Sequence, residues 1–250
     1  MLRAIITAMN AITTAVKSLA NLIYPLRCAS CGKSLAVADE LGACGFCISQ
    51  IRPNPKPYCR SCGRSLDDAH HLCPGCRTSP FYFSRAYSAC LYEGALKEMI
   101  HAFKYKNNRI LASLFTSLMT DFINDNHEII DTISVVTYVP LHARRRQERG
   151  FNQSEALAAG IARAFGIPVH GCLQKTSHTK NQSELSRDER LVNVSGAFTA
   201  SGSGAHAVKG RYVLLVDDVM STGETLNECS RALIEAEAVE VRCLTLARGL

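Results

Sequence analysis

Apolar residues recur at spacings of three and four through the first stretch of the chain. Leu2, Ile5, Met9, Ile12, Val16, Leu19 and Ile23 mark one face of a helix. Asn10, Thr13, Thr14 and Lys17 interrupt the run, so it lacks the continuous apolar core of a secretion signal. The pattern predicts an amphipathic helix over 1–24 that packs on its own domain, with contact at a membrane surface as the weaker alternative. No stretch has the length and apolarity of a transmembrane helix.

From about Ser84 the pattern switches to alternating strands and helices. Residues 85–92 (RAYSACLY) read as a strand, and Leu96, Met99, Ile100 and Phe103 mark a helical face behind it. Ile110, Leu114, Phe115, Leu118 and Phe122 mark another. Residues 133–140 (ISVVTYVP) form an apolar run rich in β-branched residues, as in a parallel strand buried on both faces. Asn152 with Glu155 three residues on forms a capping box for a helix that turns Leu157, Ile161 and Phe165 inward. Residues 211–216 (RYVLLV) are the next buried strand. A helix carrying Leu226, Cys229 and Leu233 follows, then a strand over 241–248. This order predicts βαβ units and a mainly parallel α/β sheet flanked by helices over 84–250. Ligands of such sheets sit beyond the carboxyl ends of the strands, which singles out the loops after Val139 and Val216.

Between these two regions, over 25–80, lies a cysteine-rich segment. Of 12 cysteines, eight form CxxC pairs: Cys28/Cys31, Cys44/Cys47, Cys59/Cys62 and Cys73/Cys76. The stretch CASCGKSL at 28–35 recurs as CRSCGRSL at 59–66, and each copy is followed by a second pair. Four thiols per copy at this spacing predict a double zinc ribbon with two structural Zn²⁺ sites, since four thiolates leave no open coordination position. The repeat argues for sequential quartets, and interleaved pairing stays open. Disulfides would need an oxidising compartment and a secretion signal; without one the expected setting is cytoplasmic. A redox dithiol would occur once, not four times in a repeat. Cys90, Cys172, Cys229 and Cys243 read as buried small hydrophobes. The CGKS at 31–34 is no Walker A ending, because Arg27 stands where the upstream glycine is required.

Composition changes the picture little. The 250 residues include 47% apolar and 20% charged, as in a globular protein. A net charge of +6 is compatible with phosphorylated or nucleic-acid ligands.

The chemistry concentrates at VLLVDDVMSTGET, 213–225. Ser221, Thr222, Gly223 and Thr225 lie where a helix begins, and its first backbone N–H groups lack intrahelical partners, which makes a phosphate cradle. Asp217 and Asp218 accept hydrogen bonds only, so hydroxyls or a divalent cation are their partners. A sugar phosphate offers both features. The loop at 139–155, VPLHARRRQERGFNQSE, gathers Arg144, Arg145, Arg146 and Arg149 at another strand end, where guanidinium forks suit phosphate oxygens. A third polar stretch, over 175–198, lies between strands. Tyr58, Tyr105 and Phe151 stand near basic residues, where aromatic rings can stack on bases.

The 213–225 stretch resembles the phosphoribosyl pyrophosphate (PRPP) motif of type I phosphoribosyltransferases. The resemblance implies that Asp217 and Asp218 contact the ribose hydroxyls. It implies a ribose 5-phosphate site extending over Val219, Met220, Ser221, Thr222, Gly223, Glu224 and Thr225. It assigns pyrophosphate, bridged by Mg²⁺, or DNA phosphate to Lys104 and the loop of Pro140, Leu141, His142, Arg144, Arg145 and Arg149, with Gln182 and Arg190, and likens 175–198 to a mobile catalytic loop in which Lys175, Lys180, Gln182, Arg187 and Arg190 are the candidates. Over nearly its whole length the chain resembles the ComF family. The match runs through YPLRC, the paired cysteines, YEGALKEMIHAFKY with Lys104, the RGFNQ stretch and the PRPP motif. That resemblance implies a phosphoribosyltransferase-like protein that binds PRPP or a related ribose phosphate. It implies a role in natural competence through handling of single-stranded DNA, with competence or DNA-processing proteins as partners. The alternative is an active phosphoribosyltransferase of nucleotide metabolism, with Asp217, Asp218, Arg144 and Arg149 as catalytic residues and an unidentified nitrogen acceptor.

Overall fold

The computed structural model describes residues 26–35, 41–67, 71–78, 80–176, 196–200 and 202–249. The predicted N-terminal helix and the candidates Lys180, Gln182, Arg187 and Arg190 lie outside the described residues. Among them no helix is long and apolar enough to cross a membrane.

Four strands form one parallel sheet: β1 (Arg85–Leu91), β2 (Val135–Tyr138), β5 (Tyr212–Met220) and β6 (Glu240–Arg248), in the order β1-β6-β5-β2. The two central strands, β5 and β6, are buried along most of their length because both their faces are covered. One face carries Leu214, Val216, Leu244 and Leu246. It packs under α3 (Gly94–Tyr105), α4 (Leu111–Asn124) and α6 (Gln153–Phe165), which contribute Phe103, Phe115, Leu157 and Ile161. The other face carries Val213, Leu215, Val241 and Cys243 and meets α8 (Glu224–Glu235) through Leu226, Cys229 and Leu233. Cys90, Cys172, Cys229 and Cys243 are all buried, as small hydrophobes are.

Two short helices, α1 (Gly45–Ser49) and α2 (Pro74–Thr78), begin directly after Cys44 and Cys73 and carry Cys47 and Cys76, so each spans the second cysteine pair of a repeat copy. The cysteine-rich segment lies along the outer edge of β1: Ala86 N–H donates to the Ser61 carbonyl at 2.7 Å, Asn54 N–H to Ala89 at 3.0 Å and Leu91 N–H to Arg52 at 3.0 Å. An otherwise unpaired strand edge is thereby closed.

Four local readings differ from the sequence pattern. β5 continues to Met220, so Asp217 and Asp218 belong to the strand rather than to a loop beyond it. The arginine loop contains a helix, α5 (Ala143–Arg149), ended by Gly150 in the left-handed conformation. The capping box is half made. Asn152 accepts from Ser154 N–H at 3.1 Å, but Glu155 turns away to Arg146 at 3.2 Å, a charged partner that a lone backbone N–H does not match. A two-stranded antiparallel flap, β3 (Leu173–Lys175) with β4 (Phe198–Ala200), and α7 (Gly202–Val208) have patterns too short to read.

Candidate functional site

β2 ends at Tyr138, opposite Val216 of β5. From Asp217 to Met220, β5 is paired on one side only, with Asp217 opposite Thr245 and Met220 opposite Arg248 of β6. The missing neighbour opens a cleft at the carboxyl end of the sheet. Its volume is about 160 Å³, and its walls include Lys104, Pro140, Leu141, Arg145, Arg149, Ser154, Lys175, Phe198 and all of Asp217–Leu226.

Successive residues of a strand point to opposite faces. Asp218 continues the face of Leu214 and Val216 toward α3, and Asp217 leaves the strand on the alternate side. The two carboxylates adjacent in sequence therefore diverge, and each has its own partner. Asp218, 6% exposed, binds Lys104 Nζ at 2.7 Å. Asp217, half-buried, accepts the Ser154 hydroxyl at 2.7 Å and the Asp218 backbone N–H at 2.8 Å. Burial, reinforced by Asp218, pushes the Asp217 carboxyl up to about 7; Ser154 and Lys104 act against that rise. Burial also works against the Lys104 charge, but Asp218 and then Asp217 outweigh it and hold the ammonium above its ordinary value.

Replacing Lys104 with Met strands Asp218 without a counter-charge. Breaking a fully buried pair costs about 3–5 kcal/mol. With a fifth of the Lys104 side chain exposed, a loss of about 2–3 kcal/mol in a denaturant titration is expected. Adding Asp218→Asn is expected to restore much of it. A double variant no more stable than Lys104→Met alone sinks the pairing.

The loop after Met220 turns through Gly223, which caps α8 in a left-handed conformation at φ 95°. A Cβ there would lie 2.6 Å from Met220 Cε and at the strained φ as well, so glycine is required. The turn brings Ser221–Thr225 into the cleft beside the N-terminus of a 12-residue helix, whose dipole attracts anions. Across the cleft, Arg149 stacks over the Tyr105 ring at 5.0 Å and donates to Gln153 at 3.2 Å. Lys175, on the flap, sits 5.2 Å over the Phe198 ring. Burial, and then the Arg145 charge, bring its amine down to about 8.

Residues 152–250 match the phosphoribosyl transferase domain family, and residues 19–86 match the double zinc ribbon domain family. Over 231 residues the chain is 31% identical to competence protein F of Haemophilus influenzae, covering 90% of this chain and 98% of that one. The chain belongs to the ComF family. It is also 29% identical to DNA utilization protein YhgH of Escherichia coli over 89% of this chain and 98% of the relative. Competence protein ComFC of Bacillus subtilis is 28% identical over 82% of this chain and 84% of its own length.

In this ComF protein the cysteines resolve into sequential quartets. The Sγ atoms of Cys28, Cys31, Cys44 and Cys47 lie within 4.8 Å of one another, as do those of Cys59, Cys62, Cys73 and Cys76. Interleaving is thereby excluded. The donor sets fit structural zinc: four sulfurs close each tetrahedron and leave no open position. Backbone N–H groups also point at the sulfurs, Cys44 to Cys28 Sγ and Cys73 to Cys59 Sγ, each at 3.3 Å. Burial resists charge on Cys28, but the N–H groups of Cys31, Cys44 and Ser30 prevail and lower it to about 6.

Not every sequence candidate reaches the cleft. Arg145 and Arg149 line it with Pro140 and Leu141. Arg144 is 71% exposed and bonds Glu148 at 3.0 Å, and His142 caps α5 through its Nδ1. Tyr58 and Phe151 are packing residues, Tyr58 edge-on to Phe122 and Phe151 to Phe103; Tyr105 is exposed. Sequence reasoning missed Ser154 and Phe198. Ser154 lies in the RGFNQS stretch, but nothing local connects it to a carboxylate 63 residues away.

Proposed function

We propose that the cleft binds PRPP or a related ribose phosphate and that the protein acts in natural competence, handling single-stranded DNA. One observation carries the ligand reading: two buried-edge carboxylates and a helix-capping phosphate loop share one cleft with Arg145, Arg149 and Lys175. Vicinal ribose hydroxyls donate to Asp217 and Asp218, and the 5′-phosphate accepts from the N–H and hydroxyl groups of Ser221–Thr225. The guanidinium groups and the flap lysine face the space left for a pyrophosphate, whose charge Mg²⁺ would share; a hard cation takes oxygen ligands of this kind. Relatives named for competence and for DNA utilization support the biological half of the reading. Calorimetry with PRPP and Mg²⁺ tests the ligand half, and absence of binding by the native protein would sink it.

For DNA, the outward-facing charges matter more than the cleft. Arg144 and Arg146 stand exposed on α5, outside the cleft walls. Binding to single strands is expected to weaken with salt. Arg144→Ala/Arg146→Ala is expected to reduce the log–log salt slope by about 1.4, about 0.7 for each phosphate no longer neutralised. Equal slopes for the native and double-variant proteins would remove α5 from the DNA path.

A further inference from the structure

The two cysteine repeats are alike in sequence and unlike in setting. In the first, Gly32 follows the exposed Cys31 at φ 73°, and a Cβ there would meet nothing within 4 Å. In the second, Gly63 follows the buried Cys62 at φ 68°, and a Cβ there would lie 2.4 Å from the Ala86 carbonyl oxygen of β1. The hydrogen bond from Ala86 N–H to Ser61 draws this second knuckle flat against the strand. Cys59 and Cys62 then share a core with Phe83, Met220 and Leu226, while Cys28 and Cys47 pack in the other core, with α3 and α4.

From the second ribbon and the chain on either side of the loop, four contacts lead to Ser221–Thr225. Arg248 closes β6 only 4% exposed; its Nη1 donates to the Cys62 carbonyl at 3.1 Å, and its backbone stands opposite Met220, the residue before Ser221. The next residue, Gly249, donates its N–H to the Met220 carbonyl at 2.9 Å. Beyond the last cysteine, Phe81 stacks on Phe83 at 4.5 Å and comes within 3.5 Å of where a Cβ on Gly223 would stand. Tyr82 N–H donates to Asn227 Oδ1 at 2.7 Å, and Asn227 lies in the first turn of α8.

We propose that the second ribbon is the rear wall of the phosphate loop. The metal held by Cys59, Cys62, Cys73 and Cys76 and the ligand held by Ser221–Thr225 strengthen each other's binding, and the metal of the first ribbon, which sits in the other core, is not linked to the phosphate loop. Such coupling is reciprocal by thermodynamic necessity. The ligand half rests on the phosphosugar reading of the cleft; the dependence of the loop on the ribbon does not.

The repeat supplies its own control. Gly32→Ala and Gly63→Ala both force a side chain into a left-handed backbone, so the difference between them isolates the close approach to β1. In the full-length, zinc-loaded protein, Gly63→Ala is expected to speed amide hydrogen exchange across 221–227 by about tenfold or more and to leave α6 unchanged, while Gly32→Ala stays within about twofold of native. PRPP with Mg²⁺ is expected to lose affinity by a similar factor in Gly63→Ala alone. In the native protein it should slow the release of one zinc of the two to a chromogenic chelator. If Gly63→Ala does not fold, Arg248→Leu is expected to loosen the loop and Arg248→Gln, whose amide still donates, to loosen it less. Equal loop exchange in the two glycine variants, or exchange rising in α6 together with the loop, overturns the proposal. If PRPP binds no form of the protein, the phosphosugar reading falls, and the exchange comparison still decides whether the ribbon holds the loop.

Discussion

Purified in reducing buffer, the protein is expected to carry two zinc ions per chain, and stripping them is expected to unfold the cysteine-rich segment. A structural zinc site supplies on the order of 10 kcal/mol of apparent folding free energy. That is as large as the whole stability of a typical domain, about 5–15 kcal/mol. The segment over 25–80 has few large apolar side chains of its own, and Phe46, one of them, is exposed. Its order depends on the two quartets and on the edge of β1. Loss of the second quartet is expected to be the more damaging, because Cys59 and Cys62 are buried against the sheet while Cys31 and Cys44 are more open. Metal analysis with Cys28→Ser/Cys31→Ser should return one zinc per chain. A stoichiometry near zero in the native protein would overturn the assignment.

Removal of the two carboxylates should weaken ribose-phosphate binding strongly. Each hydrogen bond to a charged group is worth about 1.5–3 kcal/mol, so Asp217→Asn/Asp218→Asn is expected to weaken PRPP binding by a factor of about 100 or more. The pH dependence follows from Asp217. Its carboxyl lies at about 7, and ribose hydroxyl donors favour the ionised form, so binding releases a proton below that pH. Affinity is therefore expected to rise from about pH 6 to about pH 8. A phosphate with a second pKa of about 6 contributes in the same direction, so the single variant Asp217→Asn serves as reference and should show a shallower rise. Identical profiles for the native protein and Asp217→Asn would remove Asp217 from ligand binding.

Much of the fold was legible because its signals are local. β2 and β5 are largely apolar runs of strand length, α3, α4, α6 and α8 carry apolar faces of helical period, and the switch between them implies a parallel sheet. The flap of β3 and β4 left no such signal, since three-residue strands have no period to read. The extent of β5 was hidden for another reason. Two aspartates read as the end of a buried strand, but one-sided pairing with β6 keeps the backbone extended while the charges meet Lys104 and Ser154.

The sequence alone determined the chemistry available: eight cysteines in a repeat, a parallel sheet, and an acidic strand end followed by a loop of small hydroxyl and glycine residues. These depend on residue type and short spacing. Tertiary structure decided which groups meet. It set Asp217 and Asp218 on opposite faces of one strand and brought Arg145 and Arg149, but not Arg144, to the cleft. It also laid one of two nearly identical knuckles against β1. Those outcomes depend on pairings between residues tens to hundreds of positions apart, such as Lys104 with Asp218 and Cys62 with Arg248, and no spacing along the chain encodes them.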